Sequence, residues 1–189
     1  VFEKGFVSGF PASVEGEANE LKARSAITGK DTAERRDIRT TPTCTIDPAN
    51  AKDFDDAISF KEKSDGTYEI GVHIADVSHY VREGTALDRE AISRGVSVYL
   101  VDRTIPMLPH VLSNDLCSLN PNEDKRSFSA IFTLDHNGNV KDRWFGKTLM
   151  HSSKRFTYEE AQQTITSGQG VFAHELVILN TLAKKIKGR

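Results

Sequence analysis

The run from Phe128 to Leu149 constrains the fold more than any other part of the chain. Phe128, Ala130, Phe132 and Leu134 alternate with other residues, His136-Asn137-Gly138-Asn139 supplies a turn, and Val140 to Leu149 returns. A period of two on either side of an Asn-Gly turn is the signature of an antiparallel hairpin. A hairpin alone is marginal in water, so the chain must extend it into a sheet and cover one face. The alternation predicts that the covered face carries Phe128, Ala130, Phe132 and Leu134.

The remaining periodicities supply the other elements. Thr43 to Ile46, Ala57 to Lys61 and Tyr68 to Ala75 read as strands, the last two joined by a turn at Ser64-Asp65-Gly66. Val96 to Val101 is β-branched and strand-like, and Pro106, Pro109 and Pro121 leave room only for a short helix near His110 to Leu116. Helices are predicted over residues 12 to 27, from Thr85 and Asp88 to Gly95, from Thr157 and Glu160 to Gly168, and from Val171 onward. Asp31 to Thr41 reads as a polar connector. Hairpin signals outnumber strand-helix-strand crossovers, which predicts an α/β fold with a mixed, largely antiparallel sheet flanked by helices.

Composition narrows the function classes. No run is apolar for long enough to span a membrane, and a net charge of -2 argues against a broad basic surface for nucleic acid, though not against a narrow channel. Cys44 and Cys117 have neither zinc-site spacing nor the density of a disulfide scaffold, so a cytoplasmic, reducing setting is expected, with both as buried thiols. Basic residues gather at Arg35, Arg36 and Arg39 and again at Lys184, Lys185, Lys187 and Arg189. The terminal group reads as a solvated face, whereas the three arginines fit a solvated face or phosphate contacts equally well. Val1 in place of an initiator methionine, and a last helix that stops on Lys-Gly-Arg, predict a piece of something longer.

Between two of the strands lie Asp47, Asp53, Asp55 and Asp56, four carboxylates within ten residues. A single aspartate in a loop usually caps a turn, but four together raise one another's pKa and cost stability unless something cationic binds them. An EF-hand count from Asp53 puts Ile58 at the glycine position and Ser64 at the bidentate glutamate, so a calcium loop is excluded. Carboxylate oxygens suit Mg²⁺ or Mn²⁺, and two such ions about 4 Å apart can act on both sides of a phosphodiester. Spacing alone leaves RNA, DNA and a small phosphoester open as substrates.

A resemblance narrows that choice. Thr45-Ile46-Asp47 through Lys52-Asp53-Phe54-Asp55-Asp56-Ala57 is followed by Val72-His73-Ile74-Ala75-Asp76-Val77-Ser78-His79-Tyr80-Val81, then Ile105-Pro106-Met107-Leu108-Pro109, then Leu112-Ser113-Asn114-Asp115-Leu116-Cys117-Ser118-Leu119-Asn120-Pro121. These ordered blocks resemble the RNB-type catalytic domain of the ribonuclease II family, with wording nearest to ribonuclease R. The resemblance implies a processive hydrolytic exoribonuclease that degrades single-stranded RNA from its 3′ end to nucleoside 5′-monophosphates. It implies Mg²⁺, with Mn²⁺ as a substitute, held by Asp47, Asp53 and Asp56. Asp55 takes the catalytic role by position, and Tyr99 falls where the family stacks an aromatic on the terminal base of the RNA. The partner implied is single-stranded RNA, with no membrane and no obligate protein partner.

Other readings stand beside these. From its strand-like surroundings alone Tyr99 is a cross-strand aromatic, and His73, Asp76 and His79 fit a strand and its exit turn as well as supporting positions around a site. Arg103 reads as a contact to RNA backbone or a partner of Asp102, and Ser118 and Asn120 as site-lining or turn residues. Residues 1–42 read as a lead-in, with a remnant of a preceding RNA-binding domain in Val1 to Phe10, and residues 43–189 as the N-terminal part of the catalytic domain. In the family the rest of that domain supplies an arginine and a second aromatic. A non-catalytic RNA-binding relative and a metal-dependent phosphohydrolase of a small substrate are the alternatives from other classes.

Overall fold

In the computed structural model, which describes residues 9–101 and 103–188, the predicted hairpin is the longest continuous feature. Strands β7 (Asp124–Leu134) and β8 (Val140–His151) pair antiparallel from Asp124 opposite His151 to Leu134 opposite Val140. The turn is held by Asp135, whose Oδ1 accepts the backbone N–H groups of Asn137 and Asn139 at 2.9 Å. Gly138 adopts φ 77° there, a left-handed conformation that glycine reaches without a Cβ clash.

Strand β4 (Tyr68–Ala75) pairs antiparallel with β7, β3 (Asp56–Glu62) with β4, and β2 (Thr43–Asp47) with β3. Two short strands complete the sheet in parallel: β1 (Arg36–Asp37) beside β8, and β9 (Lys154–Thr157) beside β2. The order is β1-β8-β7-β4-β3-β2-β9, a mixed and largely antiparallel sheet as the hairpin signals required. Among the described residues no helix is long and apolar enough to cross a membrane.

Helices cover both faces. On one, Val14 and Ala18 of α1 (Ala12–Ala23) join Leu87 of α4 (Ala86–Arg94), Leu112, Leu116 and Leu119, with Ala57, Ala75 and Ile131 from the strands. Between them, α3 (Val77–Tyr80) is a single turn that buries Tyr80. Leu112–Leu116 is one π-helical turn, the short helix that the prolines permitted. On the other face α5 (Tyr158–Ser167) and α6 (Ala173–Lys187) set Ala161 and Leu176 against Cys44 and Phe156, and Leu182 against Phe60, Ile70 and Leu134. Both N-caps foreseen from sequence form: Thr85 accepts from the Asp88 N–H, and Thr157 and Glu160 make a reciprocal capping box.

Four expectations change. The first helix stops at Ala23, where the Arg24 N–H turns back to Leu21 O. The supposed connector after it contains α2 (Gly29–Glu34), capped by Thr28 and Asp31, as well as β1. Val96 to Val101 yields only β5 (Val98–Tyr99), paired with β6 (Thr104–Ile105) in a separate ribbon, because the exposed Val96 and Val101 have no strand to lie beside. The most instructive change concerns β7, whose sides are reversed over much of its length. Phe128 is 50% exposed while Ser127 and Ser129 are fully buried, and only Leu134 of the predicted apolar set is buried.

That reversal has a hydrogen-bonding cause. Ser127 and Ser129 hydroxyls pair with Thr148 at 2.7 and 2.5 Å, and Ser129 also meets His73 Nδ1 at 2.6 Å, while His73 Nε2 meets Ser59 at 2.8 Å. Buried polar groups are tolerated when they are paired in this way. Gly71 makes room for the ring: a Cβ there would lie 2.5 Å from His73 Cε1 and Ser59 Oγ. Burial pushes the His73 pKa down to about 4, so the imidazole is neutral at pH 7. The remnant expected in Val1 to Phe10 falls, apart from Gly9 and Phe10, outside the described residues, as does Asp102.

The arginines before the aspartates are structural. Arg35 is buried against Asp76 at 2.6 Å, Arg36 pairs with Glu69 and lies over Trp144, and Arg39 bridges Asp37 and Asp124. Asp31 does the same work for α2, accepting both Arg126 Nε and Nη2, at 2.7 and 2.8 Å. Arg126 holds the Asp31 carboxyl well below the usual carboxylate range against the opposing effect of burial. A carboxylate depressed in the folded state contributes stability above its unfolded pKa of about 4, and that contribution is lost as pH falls through the folded value. Asp31→Asn, which leaves buried guanidinium charge uncompensated, should cost about 3 kcal/mol at pH 7 by urea unfolding and flatten the acid limb of the stability curve.

Candidate functional site

The site follows from how the chain crosses from β2 to β3. Asp47 is the last residue of β2 and Asp56 the first of β3, so the aspartates occupy the strand ends and the loop over residues 48–55. In Asp53-Phe54-Asp55-Asp56 only Phe54 turns inward, buried with Leu119 and Cys117 in the main core. Its N–H donates to Ser118 Oγ at 2.9 Å and its carbonyl accepts from the Leu119 N–H at 2.8 Å. A buried aromatic pinned at both backbone groups leaves its acidic neighbours facing outward.

Asp47 and Asp55 feel the charge of the neighbouring aspartates. Asp47 is raised above the ordinary carboxylate range first by burial, then by Asp56 and Asp53, against opposing effects of Thr45 and Arg155. Asp55 is raised first by the protein crowded round it and then by Asp53, Asp56 and Asp47. Because Asp55 as a whole is exposed, the repulsion is the part that a bound cation would relieve. Asp47 Oδ2 is buried and has no hydrogen-bond partner; Thr45 lies beside the carboxylate without reaching that oxygen in ordinary geometry. An orphaned, buried carboxylate oxygen amid other carboxylates is the chemistry of a hard-cation site. Among the described residues, however, no three Asp, Glu, His or Cys side chains are gathered closely enough to hold an ion as they stand.

Tyr99 engages one of the four carboxylates. It reaches the loop from the separate β5–β6 ribbon and donates its hydroxyl to Asp53 Oδ2 at 2.6 Å, which pushes the phenol pKa up to about 12. Tyr99 is 65% exposed as a residue, so although it lies opposite Thr104 in the ribbon it is not a core aromatic. Lewis-acid chemistry toward a phosphate is what a divalent ion would bring to Asp47, Asp53 and Asp56, while Tyr99 offers a flat surface next to them.

The remaining candidates separate cleanly. His73 and Asp76 belong to buried networks of the fold, and His79 lies 3.4 Å from Arg35 and edge-on to Tyr80. Ser118 clamps the loop, and Asn120 donates to Asn114 O. Cys44 and Cys117 are buried thiols pushed up to about 12, first by desolvation, and are inert at neutral pH. A concavity of about 410 Å³ lies elsewhere, lined by Ser25, Tyr80, Asp115, Lys125 and Arg126 but by none of the aspartates. Its charged walls are already engaged, Arg126 with Asp31 outside the concavity, Lys125 with Glu123 within it, and Asp124 with Arg39.

One residue beside the aspartates has no signal in the sequence. Arg155 on β9 donates through Nη2 to Pro48 O and Ala49 O at 2.8 and 2.9 Å, and its guanidinium lies 5.3 Å from the centre of the Phe54 ring. Its partners are more than a hundred residues away along the chain, and parallel pairing of β9 with β2 brings them together. Nothing in the Lys154 to Thr157 stretch announces that pairing.

Comparison with known proteins accords with this geometry. Residues 35–189 match the family described as RNB domain. A DIS3-like exonuclease 2 of Schizosaccharomyces pombe is 50% identical over 140 residues, covering 74% of this chain and 15% of that protein. Ribonuclease R of Thermotoga maritima is 45% identical over 166 residues, covering 88% of this chain and 23% of its own length. Among solved structures, that of Mycoplasma genitalium ribonuclease R in complex with double-stranded RNA superposes with a TM-score of 0.85 at 31% identity, over 99% of this chain and 34% of that one. The chain thus spans about a third or less of the length of these relatives.

Repulsion at the site has a measurable consequence. A carboxyl raised in the folded state costs stability at pH above its folded pKa, and the cost fades as pH falls through that value. In ion-free buffer at pH 7, Asp55→Asn should therefore raise the melting temperature, by roughly 2–4 °C if the relief reaches about 1 kcal/mol, and the gain should shrink toward pH 4.

Proposed function

The chain belongs to the RNB-domain family, and on that premise we propose that it is part of a hydrolytic 3′-to-5′ exoribonuclease that degrades single-stranded RNA to nucleoside 5′-monophosphates. The observation that carries this reading is the loop of four aspartates, one with an orphaned buried oxygen, inside a fold matched by ribonuclease R. Asp47, Asp53 and Asp56 would hold Mg²⁺, or Mn²⁺ in its place, and the ion would supply Lewis acidity toward a phosphodiester. Asp55 has the catalytic role: it is exposed between Asp53 and Asp56, where its carboxylate can take part in proton transfer at the scissile phosphate.

Tyr99 receives the 3′-terminal base. The residue is exposed and stands beside Asp53, so a base stacked on its ring brings the terminal phosphodiester to the carboxylates. Stacking of this kind contributes about 1–3 kcal/mol per base and tolerates any sequence, which fits progressive, unselective degradation. Processivity and the single-stranded preference belong to the whole protein, since this chain covers only 15% to 34% of the relatives compared above. Groups outside the present residues are needed to stabilise charge on the phosphate, and such electrostatic groups commonly provide most of the rate.

The reading is tested on a length series of 3′-labelled single-stranded RNAs with Mg²⁺. The whole protein should release labelled mononucleotide and shorten each RNA progressively from its 3′ end, with a loss of about 10²–10⁴-fold in rate for Asp55→Asn. The 189-residue chain alone should release almost none, and steady release from it would show that the missing groups are dispensable. Independently of activity, Mn²⁺ should stabilise the chain by binding linkage, by about 2.7 kcal/mol at a hundred times Kd, read as a higher melting temperature, and Asp47→Asn should remove most of that rise.

A further inference from the structure

The acidic loop is clamped from two sides by residues distant in sequence. On the core side Ser118 Oγ accepts from the Phe54 N–H, and the Leu119 N–H donates to Phe54 O. On the opposite side the Nη2 of Arg155 donates to the Pro48 and Ala49 carbonyls. These carbonyls begin the loop immediately after Asp47, where the ladder of β2 has ended. The Arg155 guanidinium also lies over Phe54, the inward anchor of the loop's other end. One planar group therefore reaches both the start of the loop over residues 48–55 and the aromatic near its end.

Register explains how Arg155 reaches this position. In the parallel pairing of β2 with β9, Thr45 lies opposite Arg155 and Asp47 opposite Thr157, so Arg155 is on the same face as Asp47, one pleat back. Three buried polar atoms on this face, Thr45 Oγ1, Asp47 Oδ2 and Arg155 Nε, have no hydrogen-bond partner. Charge does not account for the arrangement, because a guanidinium beside a cation site opposes cation binding. Geometry does: one guanidinium nitrogen, Nη2, donates to both adjacent carbonyls while the planar group lies against the Phe54 ring, and the shorter lysine with its tetrahedral ammonium does not reproduce that planar placement.

We propose that Arg155 is a positioning residue of the aspartate site, fixing the loop over residues 48–55 so that Asp47 can share a divalent ion with the aspartates at its far end. The part concerning the ion rests on the proposed function above; the part concerning the loop does not. The role is separable from simple electrostatics by its sign. Removal of a nearby positive charge alone would tighten cation binding, whereas loss of positioning loosens it. Groups that orient metal ligands typically change metal affinity by about 10–100-fold when removed.

The test uses the 189-residue chain as wild type, Arg155→Ala and Arg155→Lys, with Mn²⁺ binding by calorimetry and hydrogen exchange of the amides over residues 49–55. Both variants should exchange faster in that loop with exchange in β4 unchanged, and both should bind Mn²⁺ about tenfold or more weakly. Lysine keeps the charge and most of the stem, and carries the comparison if the alanine variant fails to fold. Unchanged loop exchange, or Mn²⁺ binding as tight as wild type or tighter in the variants, would overturn the proposal. Faster loop exchange in the variants, with no Mn²⁺ binding even by wild type, supports Arg155 as the loop clamp and refutes the ion-binding reading instead.

Discussion

The ladder that runs from β3 through β4 and β7 to β8, shifted in register only between Thr133 and Leu134 on β7, decides where everything else can go. Once Asp56 is opposite Ile74, Ile74 opposite Phe128, and Phe128 opposite Lys147, the face on which each residue of these strands lies is fixed. A one-residue slip would turn His73, Ser129 and Thr148 outward and break their shared hydrogen bonds. The buried polar network is therefore a register lock as well as a packing solution, since it is satisfied only when serine, histidine and threonine fall on the same side.

From that fixed frame the acidic loop departs at the one place where four carboxylates can be held without being buried together. Asp47 and Asp56 take strand ends, Phe54 plugs the core between them, and Ser118 and Arg155 grip the backbone from either side. The cost is visible in the raised pKa of Asp47 and Asp55 and in the orphaned oxygen of Asp47. Strain of this sort is commonly kept where a ligand relieves it, so the least comfortable part of the chain is also the part with the most chemistry to offer.

Buried ion pairs do comparable work at the other end of the sheet. Arg126 with Asp31, and Arg35 with Asp76, tie the segment carrying α2 and β1 onto β7 and the turn after β4. None of these residues serves the aspartates, and the arginines that lie just ahead of them in sequence belong to the scaffold. Proximity along the chain was a poor guide here because both partners of each pair are far apart in sequence and meet only after the sheet has formed.

Local signals were sufficient wherever the deciding interaction was local. The hairpin turn at Asp135 to Asn139 and the caps at Thr85 and Thr157 depend on neighbours a few residues away, and they and the strands flanking the aspartates are legible in the residues themselves. Tertiary structure alone decided the rest. It buried Ser127 and Ser129 in place of Phe128, because the hydroxyls found partners on neighbouring strands. It brought Tyr99 to Asp53 across a separate ribbon, and Arg155 to the acidic loop through a parallel pairing with no turn to announce it. Sequence thus determined which residues carry the charge and the strand ends that present them. Which distant side chains hold them in place was set by packing across more than a hundred residues, where no local preference operates.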